Sequence, residues 1–349
     1  MSLFIFMRTK FGLKAINWVV KNFKRGVLVF GVVGRYVGFV GMVLIVFLLA
    51  GNLVKLIVNP GAAGAVSLVV PGVKIPGSPV FIPFWQGIIA IFVVVLVHEF
   101  AHGIVSQAIG VRVKNTGFGL FAIFPIAFVE PDEKKLRRKS WKKQMDVFAA
   151  GPFMNFVVGG ICFLIAGFLL YPAVADAFSP EGVVVKGVMK GFPAYGVLKE
   201  GDVIVEIDGV KVETVEQFKK IMSNVSAGAV IRVKTTSSEF DIKVGENPDL
   251  PGKGYLGIYI TQKFKKLHWY SSVLMFLFTL FVWIFQLSIG IGMINLLPAG
   301  PLDGGRMLYV FLKRVCGRKG EGMFRHVSTV MFLLLLLNFI YPYLNMLVH

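Results

Sequence analysis

Five long apolar stretches set the first constraint on this chain: 36–58, 84–109, 147–171, 271–297 and 327–348. Each is long enough to cross about 30 Å of hydrocarbon as a helix, in which every backbone N–H and C=O is satisfied within its own segment. Hydrophobic residues make up 56% of the chain and charged residues only 16%, with a mean hydropathy of +0.73. That composition excludes a soluble globular domain and implies a polytopic α-helical membrane protein.

The basic residues orient the spans. Arg8, Lys10, Lys14, Lys21, Lys24, Arg25 and Arg35 precede the first span, and Lys134, Lys135, Arg137, Arg138, Lys139, Lys142 and Lys143 lie between the second and third. Under the positive-inside rule the N-terminus is expected to be cytoplasmic and the stretch from about Asp176 to His268 extracytoplasmic. The net charge of +18 then belongs mostly to cytoplasmic flanks that attract anionic lipids, and nucleic acid is not an expected partner. Residues 1–35 read as a basic interfacial segment, 36–175 and 268–349 as two parts of a membrane domain, and 180–262 as an inserted small α+β domain. Cys162 and Cys316 imply no disulfide.

Two stretches fit neither span nor loop. Residues 117–129 are apolar but too short to cross, and contain Pro125, so a re-entrant or interfacial element is expected. Residues 65–82 mix β-branched residues with Pro and Gly, as in a short surface hairpin. Both are candidates to pair with an extended substrate through backbone hydrogen bonds.

The second span ends in His98-Glu99-Phe100-Ala101-His102, an H-E-x-x-H motif in a chain with only five His. Residues four apart share a helix face, so both imidazoles can reach one metal ion while Glu99 stands beside it as a general base. A single buried His more often hydrogen-bonds a nearby carbonyl. Two His around a Glu within a span, where ionisable groups are costly, favour a metal site. Two His leave a catalytic zinc short of its usual three protein ligands. The run Asn295-Leu-Leu-Pro298-Ala-Gly-Pro301-Leu302-Asp303-Gly304-Gly305 brings Asp303 to the cytoplasmic end of the fourth span, the expected depth of His98 and His102. Asp-Gly is otherwise a common turn pair.

In HEFAHG, FVEPDE, AAGPFMN and NLLPAGPLDGGR the chain resembles the site-2 protease family of intramembrane zinc metalloproteases, closest to its archaeal members. The likeness extends over most of residues 36–349. It implies one catalytic Zn2+ held by His98, His102 and Asp303, Glu99 as general base, and cleavage of single-span membrane proteins within or near their transmembrane helix. Ala299-Gly300 departs from the Pro-rich spacing of many relatives and bears on loop shape rather than on the ligand. Asn155 and Asn295 are candidates to hold an unwound substrate backbone; either also fits as a polar link between helices.

Residues 182–212 resemble a PDZ domain in the Phe192-Pro193-Ala194 turn, the Leu198 to Asp202 run and Ile207-Asp208-Gly209. The loop Tyr255-Leu256-Gly257-Ile258, which comes first in many bacterial-type PDZ domains, comes last here, so the order reads as circularly permuted. Such a loop offers backbone N–H groups to a peptide C-terminus, making Tyr255, Leu256 and Gly257 candidate binding residues; a domain that only excludes bulky substrates fits the sequence equally. Two rival functions remain: a non-catalytic membrane scaffold that binds peptides through this domain, and a metal-dependent lipid hydrolase.

Overall fold

The computed structural model describes residues 4–9, 11–59, 64, 66–67, 69–75, 80–121 and 124–348. In chain order the membrane part begins with strand β1 (Phe4–Thr9), helix α1 (Phe11–Val58), helix α2 (Phe84–Ala108) and strands β2 (Val113–Phe121) and β3 (Phe124–Pro131). Helices α3 (Glu133–Arg137) and α4 (Trp141–Leu164) follow, and a π-helical stretch, Ile165–Leu170, leads into α5 (Tyr171–Ala177). The inserted domain runs through β4 (Phe178–Val188), β5 (Val203–Ile207), β6 (Val210–Lys211), α6 (Val215–Asn224), β7 (Val230–Thr235), β8 (Glu239–Lys243), β9 (Gly245–Glu246), β10 (Gly254–Tyr255) and β11 (Ile258–Lys266). Helices α7 (Ser271–Asn295), α8 (Asp303–Cys316) and α9 (Lys319–Val348) complete the chain. Among the described residues, five helical segments have the length and composition to cross a membrane: Gly12–Val58, Phe84–Ala108, Trp141–Ala177, Ser271–Asn295 and Lys319–Tyr341. The protein is therefore a polytopic α-helical membrane protein with a small inserted α+β domain.

The chain divides into two compact units, Met1–Leu169 with Phe276–His349, and Leu170–Met275. In the first, α4 and α1 each contribute to three apolar clusters. Val147 and Ala150 pack with Val27 of α1 and Ala101 and Val105 of α2; Met145 and Ala149 with Met42, Leu296 and Met307; Cys162 with Ala90, Val94, Leu280 and Ile284. Small residues at Gly31, Gly34 and Gly38 of α1 bring that helix close to Asp146, Phe153 and Ala149, as expected where lipid leaves packing rather than hydrophobicity to hold helices together.

Two stretches take a specific form in the structure. Residues 4–9 are a strand, and α1 breaks helical geometry at Phe23, which divides a basic helical segment that starts at Phe11 from the helix that carries the first span. The other stretch is 117–129, where β2 and β3 pair antiparallel, and β1 adds to the far edge of β2 to give the order β1-β2-β3. Pro125 lies opposite Leu120 on β3, an edge strand of this sheet, where a missing N–H costs least. Asp132 caps the short α3 that follows, accepting from the Lys135 N–H at 3.2 Å. Of the 65–82 stretch, Val70 to Val73 form a tight turn closed by a single bridge; residues 65, 68 and 76–79 lie outside the described residues.

In the second unit a sheet of order β11-β4-β5-β7-β8, with β6 paired to β5, packs Val183, Val185, Ile204, Ile207, Ile231 and Val233 against Phe218 and Met222 of α6. That helix starts on a capping box: the Thr214 hydroxyl accepts from the Gln217 N–H, and the Gln217 side chain returns the bond to the Thr214 N–H. Leu256 is buried in this core.

Candidate metal centre

Helical periodicity places His98 and His102 on one face of α2, one turn apart. Asp303 stands in the first turn of α8, where the unpaired backbone N–H groups and the helix dipole favour a carboxylate. The α7–α8 turn carries it there. Leu296 and Leu297 close the end of α7 through bonds to the Met293 and Ile294 carbonyls, and the Leu302 N–H bonds to Ala299 O at 3.1 Å. Gly304 lets α8 start directly against this turn, because a Cβ there would collide with the carbonyl of Leu296.

The three side chains converge. His98 Nε2 lies 3.1 Å from Asp303 Oδ2 and 3.1 Å from His102 Nε2, and His102 Nε2 lies 3.2 Å from the same Asp303 oxygen. His98 and Asp303 are buried, and the His102 side chain is only 12% exposed. Val147 of α4 accepts from His102 Nδ1–H at 2.7 Å, which leaves Nε2 with its lone pair. That lone pair faces a carboxylate oxygen and a second imidazole nitrogen. Such convergence of electron pairs is unfavourable unless a proton or a cation lies among them.

A cation fits. Tetrahedral zinc with bonds of about 2.0–2.1 Å to His N and carboxylate O has ligand-to-ligand edges of roughly 3.3–3.4 Å, close to the three separations here. Space is reserved as well: Gly151 of α4 faces the triad, and a Cβ on it would overlap His102 Nε2 and lie 2.7 Å from His98 Nε2. Among the described residues this triad is the group of His, Cys, Asp and Glu side chains whose donor atoms come close enough to share a metal, all within 4.8 Å of one another. The Glu99 side chain, half-buried on the same helix, has no hydrogen-bond or ion-pair partner within contact distance among the described residues.

Residues around the triad were not all visible beforehand. Val147 acts through its backbone carbonyl, which leaves no mark in a sequence. Asp146 beside it lies 3.2 Å from Arg35 Nη1 of α1, an ion pair without hydrogen-bond alignment, and 3.6 Å from Lys143; a basic residue just before the first expected span and an acidic one just before the third are its trace in the sequence. Asn155 is fully buried, with Nδ2 3.2 Å from His98 Nδ1. Asn295 is the half-buried last residue of α7. Tyr255, Leu256 and Gly257 lie in the inserted domain, where the Leu256 and Gly257 carbonyls accept from Ala194 and Met189 N–H and the Tyr255 ring meets Phe192 edge-on.

Multiple apolar spans and a buried triad of metal-ligating side chains define a membrane-embedded metalloprotein. Residues 86–339 match the model of peptidase family M50, and the chain belongs to that family. The uncharacterized protein MJ0971 of Methanocaldococcus jannaschii is 30% identical over 250 residues, which are 69% of this chain and 60% of that protein. The zinc metalloprotease RasP of Oceanobacillus iheyensis is 26% identical over 267 residues, covering 60% of this chain and 61% of that protein. The matches thus span about 60% of the length of these relatives. Among solved structures, the PDZ domain of an SdrC-like protein from Listeria monocytogenes is 27% identical, covers 23% of this chain and 88% of that domain, and has a TM-score of 0.21.

Proposed function

We propose that this protein is a zinc metalloendopeptidase that hydrolyses a peptide bond within or near a transmembrane helix of another membrane protein. The observation that carries the reading is the buried convergence of His98, His102 and Asp303, with Glu99 on the same helix as the His pair and that helix long and apolar enough to span a bilayer. His98 Nε2, His102 Nε2 and Asp303 Oδ2 would hold the metal. When bound, zinc supplies Lewis acidity toward water and a peptide carbonyl. Glu99 takes a proton from the attacking water as its oxygen bonds to the scissile carbonyl carbon, and delivers a proton to the departing amine as the C–N bond breaks. A peptide carbonyl inside a helix is already hydrogen-bonded to the N–H four residues on, so the substrate span must unwind at the cut, and Gly or Pro in it assists.

The substrate segment pairs in extended form with the strand element of β2 and β3, and Asn295 at the end of α7 offers further hydrogen bonds. The distribution of Lys and Arg supports a cytoplasmic N-terminus and active-site side, anionic lipids at the basic flanks, and an extracytoplasmic inserted domain. In that domain Tyr255, Leu256 and Gly257 are the residues that would receive a peptide C-terminus. The deciding experiment is incubation of the purified protein in detergent with a single-span reporter. Zinc-dependent cutting, abolished by Glu99→Gln with zinc retained, is expected. Equal cutting by that variant would remove Glu99 from its role, and no cutting by wild type would remove the peptidase reading.

A further inference from the structure

Val147, Gly151 and Asn155 fall at i, i+4 and i+8 of α4 and form one row on the face it turns to α2. The two His side chains of α2 match that row. Their Nε2 atoms converge over its middle, where Gly151 has no side chain, while their Nδ1 atoms reach its ends: His102 to the Val147 carbonyl and His98 to the Asn155 amide. At one end the chemistry is fixed, since a carbonyl only accepts and His102 must carry its proton on Nδ1. At the other it is open, since an Asn amide offers a carbonyl oxygen on one side and an NH2 on the other.

With the NH2 group toward His98, Nδ1 is the acceptor and the ring proton sits on Nε2, pointing at Asp303. That tautomer closes the metal cradle with hydrogen. It also leaves Asn155 Oδ1, in a side chain that is fully buried, with no hydrogen-bond partner among the described residues. Turning the amide by 180° puts the oxygen against Nδ1, moves the ring proton to Nδ1 and frees the Nε2 lone pair for a metal.

The geometry points to Asn155 as the positioning residue of His98: its amide oxygen accepts from Nδ1–H and holds the imidazole in the tautomer and orientation that present Nε2 to the metal. The inference rests on the metal-site reading above. It assigns to Asn155 a task that neither substrate binding nor helix packing requires, and makes one face of α4 the outer layer of the whole site. Partners of this kind tune metal affinity by about 10- to 100-fold.

Zinc affinity is the measurement, by competition with a chromogenic chelator on the purified full-length protein in detergent, with helix content and melting followed in parallel. Asn155→Leu, similar in volume but without an acceptor, is expected to bind zinc about 10- to 100-fold more weakly. Asn155→Asp, which keeps an acceptor in place, is expected to hold zinc at least as tightly as wild type. A helix-packing role would lower the melting temperature of both variants and leave zinc affinity alone. A substrate-holding role would change cleavage only. Unchanged zinc affinity in folded Asn155→Leu overturns the inference; should that variant fail to fold, weakened zinc binding by Asn155→Asp overturns it. Cleavage is not the readout, so a wild type that binds zinc and cuts nothing would end the peptidase reading and leave this one standing. A wild type without zinc affinity would end both.

Discussion

His98 and His102 ride on one helix, whereas Asp303 arrives at a turn between two, and different physics holds each. The His pair needs only the 3.6-residue period of α2 and the facing row on α4, an arrangement made of regular structure. Asp303 depends on irregular backbone: the end of α7, the carbonyls of Leu296 and Ala299, and a glycine immediately after the ligand. Hydrophobic cover for that turn comes from elsewhere, as Leu297 and Ala299 pack with Ile45 and Leu49 of α1 and with Met331, Leu334 and Leu335 of α9. A helix-borne pair is thus robust and a turn-borne ligand adjustable, which is how a third ligand can join a site from some 200 residues away.

Breaking the helix-borne half has the largest expected effect. Gly151→Ala improves helix propensity and meets little besides the two imidazoles, so α4 persists, but its methyl group occupies the space among the donor atoms. Zinc binding is expected to fall by more than about 100-fold with helix content unchanged by circular dichroism; stoichiometric zinc in this variant would mean that the metal does not lie over Gly151.

Breaking the turn-borne half is expected to cost stability as well as metal. Gly304→Ala drives a Cβ into the Leu296 carbonyl, a contact that only backbone movement relieves. Overpacking of this kind costs about 1–3 kcal/mol, to be read as a lower melting temperature accompanied by weaker zinc binding. Wild-type values for both would show that α8 can shift without moving Asp303.

The smallest effect is expected at the support of the turn. Asn338 of α9 donates to the Leu49 and Leu334 carbonyls and accepts from Asn52, which ties α9 to α1. Hydrogen bonds between membrane helices are worth about 0.6 kcal/mol on average. Asn338→Leu should therefore lower stability by about that much and leave zinc affinity unchanged; a loss of zinc would show that α9 positions Asp303 directly.

The same contrast explains what was legible in the sequence. Spans and the His pair are periodic and local, so 84–109 and the H-E-x-x-H spacing announced them. Asp303 became visible through the expected topology, which puts it at the depth of the His pair, and the family's motif agrees; an Asp-Gly pair alone reads as a turn. What stayed hidden joins distant segments. Strand β1 reads as part of a basic amphipathic stretch because its partner, β2, lies more than 100 residues away, and 117–129 reads as re-entrant because apolarity and Pro125 hide a hairpin whose edge tolerates proline. Gly151 stood in a quoted motif, yet the space it leaves appears only once α2 lies against α4.

Metal content bears most directly on the claim that a helix-borne pair and a turn-borne carboxylate form one site. For purified wild type and Asp303→Ala, assayed side by side by elemental analysis after dialysis, one zinc per wild-type chain and substoichiometric, easily chelated zinc in the variant are expected. Full zinc occupancy at wild-type affinity in Asp303→Ala would contradict it.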